Sequence, residues 1–213
     1  MVDKTSYQET LGLFPTPVYT AQREGKFTSK EKKEIEKIIA GGMHKSIGNT
    51  ISDESYIFTN YLKKIKQFCD YHIAEYVKEI INPKEDLNFY ITQSWLNLTP
   101  TGGFHHSHCH QNSIVSGVFY ISTVEDDKIT FEDTNYRVKA ASAWFQEEEF
   151  NIWNSTSWYI PVNNNKLVLF PSWLAHKVDL NEKATTDRIS ISFNTFVTGK
   201  LGNQNGLTEL ILK

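Results

Sequence analysis

The sequence has little cysteine, no long apolar run and no excess of charge of one sign. Two cysteines, Cys69 and Cys109, are too few for the disulfide framework of a small secreted protein. No stretch approaches the roughly 18 consecutive apolar residues of a membrane-spanning helix, and the opening MVDKTSYQETLG has no signal-peptide pattern. The net charge of −3 does not favour nucleic-acid binding. We therefore expect a cytoplasmic protein that contacts neither membranes nor nucleic acids.

The first third of the chain predicts helices. Thr28 and Glu31 have the spacing of a capping box, an isoleucine stripe follows them, and a pair of glycines ends the pattern. A second, longer helix is predicted over about residues 54–81, where apolar residues recur at helical spacing. We therefore expect helical support over about residues 28–82.

After residue 88 the apolar pattern changes from a helical period to alternation. About eight short segments, rich in aromatic and β-branched residues, are separated by Gly, Asn, Asp and Pro. They predict an antiparallel barrel or sandwich over about residues 88–198, with the helices packed on one side. The opening LGLFPTPVYTAQ predicts an additional strand at an edge, because its prolines lack an N–H donor. Together these features predict one α+β domain over residues 1–213.

Four histidines lie within six residues of the segment GGFHHSHCHQNS. Alternate residues of an extended segment share a face, so we expect His106, His108 and His110 on one side and His105 on the other. Histidine is the commonest protein ligand for metals, and His176 at a distant strand junction can supply a further nitrogen. The pattern predicts a metal site, and three nitrogen ligands suit zinc or iron.

The strand RISISF places a cation and two hydroxyl groups on one face. Its apolar side chains alternate with Arg188, Ser190 and Ser192, which therefore point the same way. If this face lines a barrel interior, the guanidinium and the hydroxyl two residues later suit bidentate capture of a carboxylate. The alternative is a strand surface that faces solvent.

The order of these motifs resembles that of a known family. W-x-N in QSWLN, H-x-H-x-N-S, S-G-V-x-Y, L-F-P-S-W-L-x-H and R-I-S-I-S-F-N follow one another over about residues 93–197. The sequence resembles the Fe(II)- and 2-oxoglutarate-dependent oxygenases of the prolyl-hydroxylase-like superfamily. The resemblance implies a double-stranded β-helix, or jelly roll, and a dioxygenase that uses Fe(II), 2-oxoglutarate and O2 to hydroxylate a substrate. Members are common in bacteria and marine phages, so the implied location is bacterial or phage-host cytoplasm.

The resemblance also implies roles for individual residues. His108 and His176 match two iron ligands, and Arg188, helped by Ser190, matches the grip on the distal carboxylate of 2-oxoglutarate. Further contacts with this cosubstrate are implied for Tyr120 and Asn97.

The third metal ligand departs from the pattern of most of the superfamily. Most members carry Asp or Glu two residues after the first histidine, where this chain and the narrower family have histidine. We expect His108, His110 and His176 to bind the iron. The alternatives are a water molecule in place of the acid, or a carboxylate such as Glu132 or Asp133.

Other functions are compatible with the same motifs. A zinc-dependent hydrolase or lyase can use three histidines, but it does not need Arg188 to bind a carboxylate. A cupin-like protein usually carries Glu where this chain has Ile114 or Val115. A structural zinc clip usually has four ligands, with cysteine prominent among them.

The substrate is the property that the sequence specifies least. By analogy with prolyl hydroxylases we expect a peptidyl side chain such as proline, with a free amino acid or a small metabolite as the alternatives. An aromatic-rich segment at residues 136–158 can form a peptide groove or the core of the far sheet; its large aromatics are Trp144, Phe145, Phe150, Trp153 and Trp158. The oligomeric state is not specified, and a homodimer is one option.

Overall fold

The structure, a computed structural model, describes residues 9–134 and 148–213. Its helices are α1 (Ser29–Ala40), α2 (Ile57–Asn60) and α3 (Lys63–Tyr76), which a π-helical turn, Val77–Ile81, extends. Its strands are β1 (Tyr19–Gln22), β2 (Met43–Lys45), β3 (Thr50–Ser52), β4 (Leu87–Thr99), β5 (His105–His108), β6 (Val115–Ser122), β7 (Lys128–Glu132), β8 (Ser157–Pro161), β9 (Lys166–Pro171), β10 (Ala175–Val178), β11 (Arg188–Leu201) and β12 (Leu210–Leu212). One of the short segments predicted as strands is SAWFQ, residues 142–146, and it lies outside the described residues together with its Trp144 and Phe145. Within the two described ranges, no helix is long and apolar enough to cross a membrane.

Two antiparallel sheets form the β-rich part. The larger sheet has the strand order β1-β9-β6-β11-β4-β3-β2, with β12 also paired to β11, and the smaller has the order β5-β10-β7-β8. Val118, Tyr120 and Phe170 of the larger sheet share a buried apolar cluster with Ile129 and Phe131 of the smaller one. The sheets therefore pack face to face, and the predicted α+β fold with a jelly-roll core is confirmed.

The helices cover the other face of the larger sheet. Phe119 lies between two β6 residues that face the smaller sheet, and it joins a separate buried cluster with Phe58 of α2 and with Ile65 and Cys69 of α3. Because successive side chains of a strand point to opposite faces, β6 is buried on both sides. The helices thus support the sheet from outside, as predicted, and leave its inner face for a site.

Helix α1 begins as the sequence predicts, whereas the second helix does not run unbroken. Thr28 Oγ1 accepts a hydrogen bond from the Glu31 amide (3.2 Å), and the Glu31 carboxylate accepts one from the Thr28 amide (2.7 Å), which completes the capping box. The single helix predicted over residues 54–81 is wrong, because Leu62 separates α2 from α3 with a φ of 54°. Its amide donates to the Glu34 carboxylate at 2.8 Å instead of to a helical carbonyl.

A hairpin lies inside the segment predicted as helical support, residues 28–82. Its strands, β2 and β3, have three residues each, too few to show an alternating pattern in the sequence. Thr50 pairs with Leu98 and Ile51 with Asn97, which adds the hairpin to the edge of β4. This part of the chain therefore contributes strands to the larger sheet as well as helices.

Candidate metal and cosubstrate site

Adjacent strand ends bring three histidines together. Strands β5 and β10 run antiparallel, and His108 lies directly opposite His176. His110 follows β5, where its backbone N–H donates to the carbonyl of Ser172 in the turn between β9 and β10 (2.8 Å). One ring nitrogen from each histidine lies within 4.8 Å of those of the other two. Within the described residues, this trio is the only cluster of three or more His, Cys, Asp or Glu side chains that converge in this way.

Hydrogen bonds set the tautomer of all three rings. In His108 and His176, Nδ1 lies 2.8 and 3.0 Å from the backbone carbonyl oxygen two residues earlier. In His110, Nδ1 lies 2.5 Å from the side-chain oxygen of Asn194. A carbonyl oxygen can only accept, so Nδ1 carries the proton in each ring and Nε2 keeps its lone pair. Such a bond on the second nitrogen is the usual support of a metal-binding histidine.

The three imidazoles are neutral and available. Burial lowers the pKa of His108 and of His110. Burial, and then the proximity of His108, lowers the pKa of His176 to about 3. Nε2 of His110 is buried and has no hydrogen-bond partner. Neutral rings with an unpaired nitrogen are what a metal ion requires, so these residues fit one.

His105 also lies beside the cluster, which contradicts the prediction that it faces away. Its ring stacks on that of His108, with 4.3 Å between centroids, whereas His106 is exposed. The reason is a bulge, because three steps along β5, from His105 to His108, match two steps along β10, from Val178 to His176. The extra residue breaks the alternation and turns His105 inward. The ring of His106 lies 5.3 Å from that of His108, but His106 is not part of the converging trio.

The two carboxylates considered as alternative ligands lie outside the cluster. Glu132 accepts a hydrogen bond from Ser107 Oγ at 2.6 Å and pairs with Lys177 Nζ at 3.0 Å. These two partners lower the pKa of its carboxyl group. Asp133 follows the end of β7 and, like Glu132, is not part of the converging group. The geometry thus favours His110 over either carboxylate as the third ligand.

A small cavity of about 30 Å³ lies between the histidines and the larger sheet. The residues of β4, β11 and β6 that line it form three consecutive rows: Thr99 and Arg188; Asn97, Ser190 and Tyr120; Trp95, Ser192 and Val118. Arg188 and Ser192 are four residues apart, which corresponds to about 13 Å along a strand. The structure therefore places all four predicted cosubstrate contacts on one wall, with the three histidines on the other.

Unpaired polar atoms are concentrated in this cavity. Within the described residues, the buried side-chain atoms without a hydrogen bond are Asn49 Nδ2 and Oδ1, Asn97 Oδ1, Thr99 Oγ1, His110 Nε2 and Tyr120 Oη. All of them belong to residues that line the cavity. Folded proteins rarely leave such atoms unpaired, because each costs about 1–3 kcal/mol. Their concentration in one place indicates a site built to receive a ligand.

Arg188 is held by Asp127, a residue that no sequence motif marks. Its Nε donates to both carboxylate oxygens of Asp127, at 2.9 and 3.0 Å, and both side chains are buried. The ring of Tyr120 lies 5.0 Å from the guanidinium carbon, within cation–π range. Because Nε is engaged, the two terminal nitrogens of Arg188 are left for an acceptor in the cavity. Asp127 belongs to the acidic turn VEDDK, whose composition is that of an ordinary surface turn.

A larger cavity, of about 460 Å³, adjoins the first one. The two share Thr99, Val178 and Arg188 in their linings, but none of the histidines lines the larger one. Its charged residues have both signs and include Asp127 and Lys128. We therefore place the site in the smaller cavity, where the potential ligands and the unpaired atoms lie.

Comparison with known families agrees with this geometry. Residues 93–194 match the family described as "Putative 2OG-Fe(II) oxygenase". The matched segment is just under half of the chain, and through it the chain is similar to the 2OG-Fe(II) oxygenases. The match confirms the resemblance predicted from the motifs and supports the predicted oxygenase class. No curated protein matches the sequence.

Solved structures share the fold of this chain at low sequence identity. HygX from Streptomyces hygroscopicus, with nickel, 2-oxoglutarate and hygromycin B bound, has a TM-score of 0.54 and 11% identity over 84% of this chain and 82% of that chain. A Pseudomonas putida prolyl-4-hydroxylase has a TM-score of 0.51 and 14% identity over 82% and 91% of the two chains. A Trichoplax adhaerens prolyl hydroxylase, in complex with a hypoxia inducible factor peptide fragment, has a TM-score of 0.54 and 12% identity over 84% of this chain and 83% of that chain. At these identities the likeness shows the fold alone.

Proposed function

We propose that the enzyme holds one Fe(II) ion through Nε2 of His108, His110 and His176, and uses 2-oxoglutarate and O2 to hydroxylate its substrate. The observation that carries this proposal is one cavity with three metal-ready imidazoles on one wall and a buried guanidinium on the other. A hydrolytic zinc site has no need for such a cation. The family match supports the same reaction class.

In this proposal the three histidines hold the metal, and residues on the opposite wall bind the cosubstrate. When bound, the iron supplies the oxidative chemistry, in which 2-oxoglutarate and O2 become succinate and CO2 and one oxygen atom enters the substrate as hydroxyl. The terminal nitrogens of Arg188 bind the distal carboxylate of 2-oxoglutarate as a charge-assisted pair. Ser190 and Tyr120 have hydroxyl groups on the same wall and hold this end in place. Burial of these groups excludes water from the cosubstrate.

Three neutral ligands distinguish this site from the usual facial triad of two histidines and a carboxylate. With no ligand carboxylate, more positive charge stays on the ion. We therefore expect weaker affinity for Fe(II) and a higher reduction potential than in a site with the acid.

For the substrate we propose a peptidyl side chain such as proline. Two of the similar structures are prolyl hydroxylases, and one of these holds a peptide fragment. The described part of the aromatic-rich segment also exposes Phe150, Trp153 and Trp158, which suits contact with an extended chain. A small molecule is the alternative, since the HygX structure contains hygromycin B.

The first test is an anaerobic absorbance titration of metal-free protein with Fe(II) and then 2-oxoglutarate. We expect a weak visible charge-transfer band that needs both additions. The band should disappear in His176→Ala and weaken in Arg188→Ala. His44→Ala is the matched control, because His44 is exposed and pairs with Asp53 away from the cavity. Tight stoichiometric zinc binding without any Fe(II)-dependent band would contradict the proposal and favour the zinc enzyme.

A further inference from the structure

Asn49 is the residue whose side chain the structure leaves least satisfied. Both its Nδ2 and its Oδ1 are buried without a hydrogen-bond partner, and only 5% of the residue is exposed. A buried amide with neither atom paired costs several kcal/mol by the usual estimates for each atom. Neither the metal site nor any motif of the sequence accounts for it.

The backbone holds Asn49 rigidly at the edge of the cavity. Its carbonyl accepts from the Ser46 amide at 2.9 Å, and the preceding carbonyl, of Gly48, accepts from the Phe104 amide at 3.0 Å. The turn is therefore tied both to itself and to the loop after β4. A side chain on so fixed a turn is preorganised, so it loses little freedom when it binds a ligand.

Strand register places Asn49 in the row that contains Arg188. Thr50 pairs with Leu98, so continuing the register by one residue sets Asn49 beside Thr99. Thr99 in turn pairs with Arg188, and all three residues line the cavity. Thr99 Oγ1 is also unpaired. Arg188 is thus flanked, at the end of the cavity where Asp127 holds it, by one free amide and one free hydroxyl.

We propose that Asn49, with Thr99, binds the distal carboxylate of the oxo acid next to Arg188 and selects a dicarboxylate over a monocarboxylate. The proposal rests on the proposed function, because it concerns the same cosubstrate. Nδ2 of Asn49 and the hydroxyl of Thr99 donate to carboxylate oxygens that Arg188 alone does not saturate. An amide is neutral, so it adds donors without opposing the guanidinium. Asn49 lies outside the segment that matches the oxygenase family, and it comes from the hairpin between α1 and α2.

The test compares two ligands that differ only at the distal end. Isothermal titration calorimetry of the Ni(II)-loaded protein measures the affinity for 2-oxoglutarate and for 2-oxopentanoate. The second ligand has a methyl group in place of the distal carboxylate. We expect Asn49→Ala to weaken the affinity for 2-oxoglutarate by about tenfold or more, since hydrogen bonds to charged groups are stronger than those between neutral groups. We expect the affinity for 2-oxopentanoate to change little. Asn49→Asp keeps the shape of the side chain but adds a negative charge, so it should lower the affinity for 2-oxoglutarate more than Asn49→Ala does.

Thr50→Val is the matched control, because it removes a hydroxyl from the same hairpin, and that hydroxyl donates to Leu98 outside the cavity. Its affinities for both ligands should stay those of the wild type. The role of Asn49 is refuted if both variants lose affinity for the two ligands equally, or if neither variant loses affinity for either ligand. A wild-type protein that binds no oxo acid refutes the proposed function instead.

Discussion

Removing one member of the buried Asp127–Arg188 pair should destabilise the protein strongly. Only 3% and 6% of the two side chains are exposed, so Asp127→Asn leaves the guanidinium charge buried beside a neutral amide. Losing one partner of a buried ion pair costs about 3–5 kcal/mol. Because the amide oxygen of Asn can still accept one hydrogen bond, the lower value of about 3 kcal/mol is the better estimate. For a chain of this size it corresponds to a fall in Tm of about 6–12 °C.

The assay is thermal and urea unfolding of four proteins, followed by circular dichroism. They are the wild type, Asp127→Asn, Arg188→Met and the double variant, which has no unpaired buried charge. We expect the double variant to lose less than the sum of the single losses, with a coupling of about 2 kcal/mol.

The surface pair Lys66–Asp70 provides the control for this experiment. Its atoms approach to 2.6 Å, but 34% and 41% of the side chains are exposed. Asp70→Asn should therefore cost only about 0.3–0.5 kcal/mol. An Asp127→Asn variant as stable as Asp70→Asn, or a double variant with strictly additive losses, would refute the argument that Asp127 holds a buried charge.

Two further variants test the packing of the core and the choice of the third ligand. Gly117→Ala should lower the free energy of unfolding in urea by about 1–3 kcal/mol. The reason is that a Cβ at this position would lie 2.1 Å from Cζ of the fully buried Phe193. A variant as stable as the wild type would mean that the Phe193 ring can move aside. Glu132→Gln should leave the affinity for Ni(II) in equilibrium dialysis unchanged, whereas His110→Ala should weaken it by about tenfold or more. The opposite result would make Glu132 the ligand.

The features that the sequence predicts well depend on short-range patterns. H-x-H places His108 and His110 close together in any extended segment, and the alternation around Arg188 separates its polar face from its apolar one. His176 was predictable only by its position at a second strand junction. These residues do line one cavity in the structure. Local spacing therefore sufficed for the potential ligands and for the guanidinium.

The features that the sequence does not predict depend on contacts between distant segments. Asp127 stands among acidic neighbours in a turn, and only its pairing with Arg188, 61 residues later, distinguishes it. Asn49 reaches the cavity through a three-residue strand that shows no periodicity. The inward turn of His105 follows from a bulge, which inserts one residue into an otherwise regular alternation. Asp127 depends on a side-chain contact between distant segments, and the positions of Asn49 and His105 depend on the register between strands; one sequence reveals neither.

The placement of β1 has a consequence for how the chain reaches its native state. Tyr19 of β1 pairs with Leu169 of β9. Strand β1 therefore cannot pair until a segment about 150 residues later has been synthesised. Contacts of such long sequence separation require a long loop to close before any pairing energy is gained. We therefore expect refolding on the millisecond-to-second scale of other β-rich proteins, with the docking of β1 as a late event. During translation, the segment containing β1 leaves the ribosome long before its place in the sheet exists.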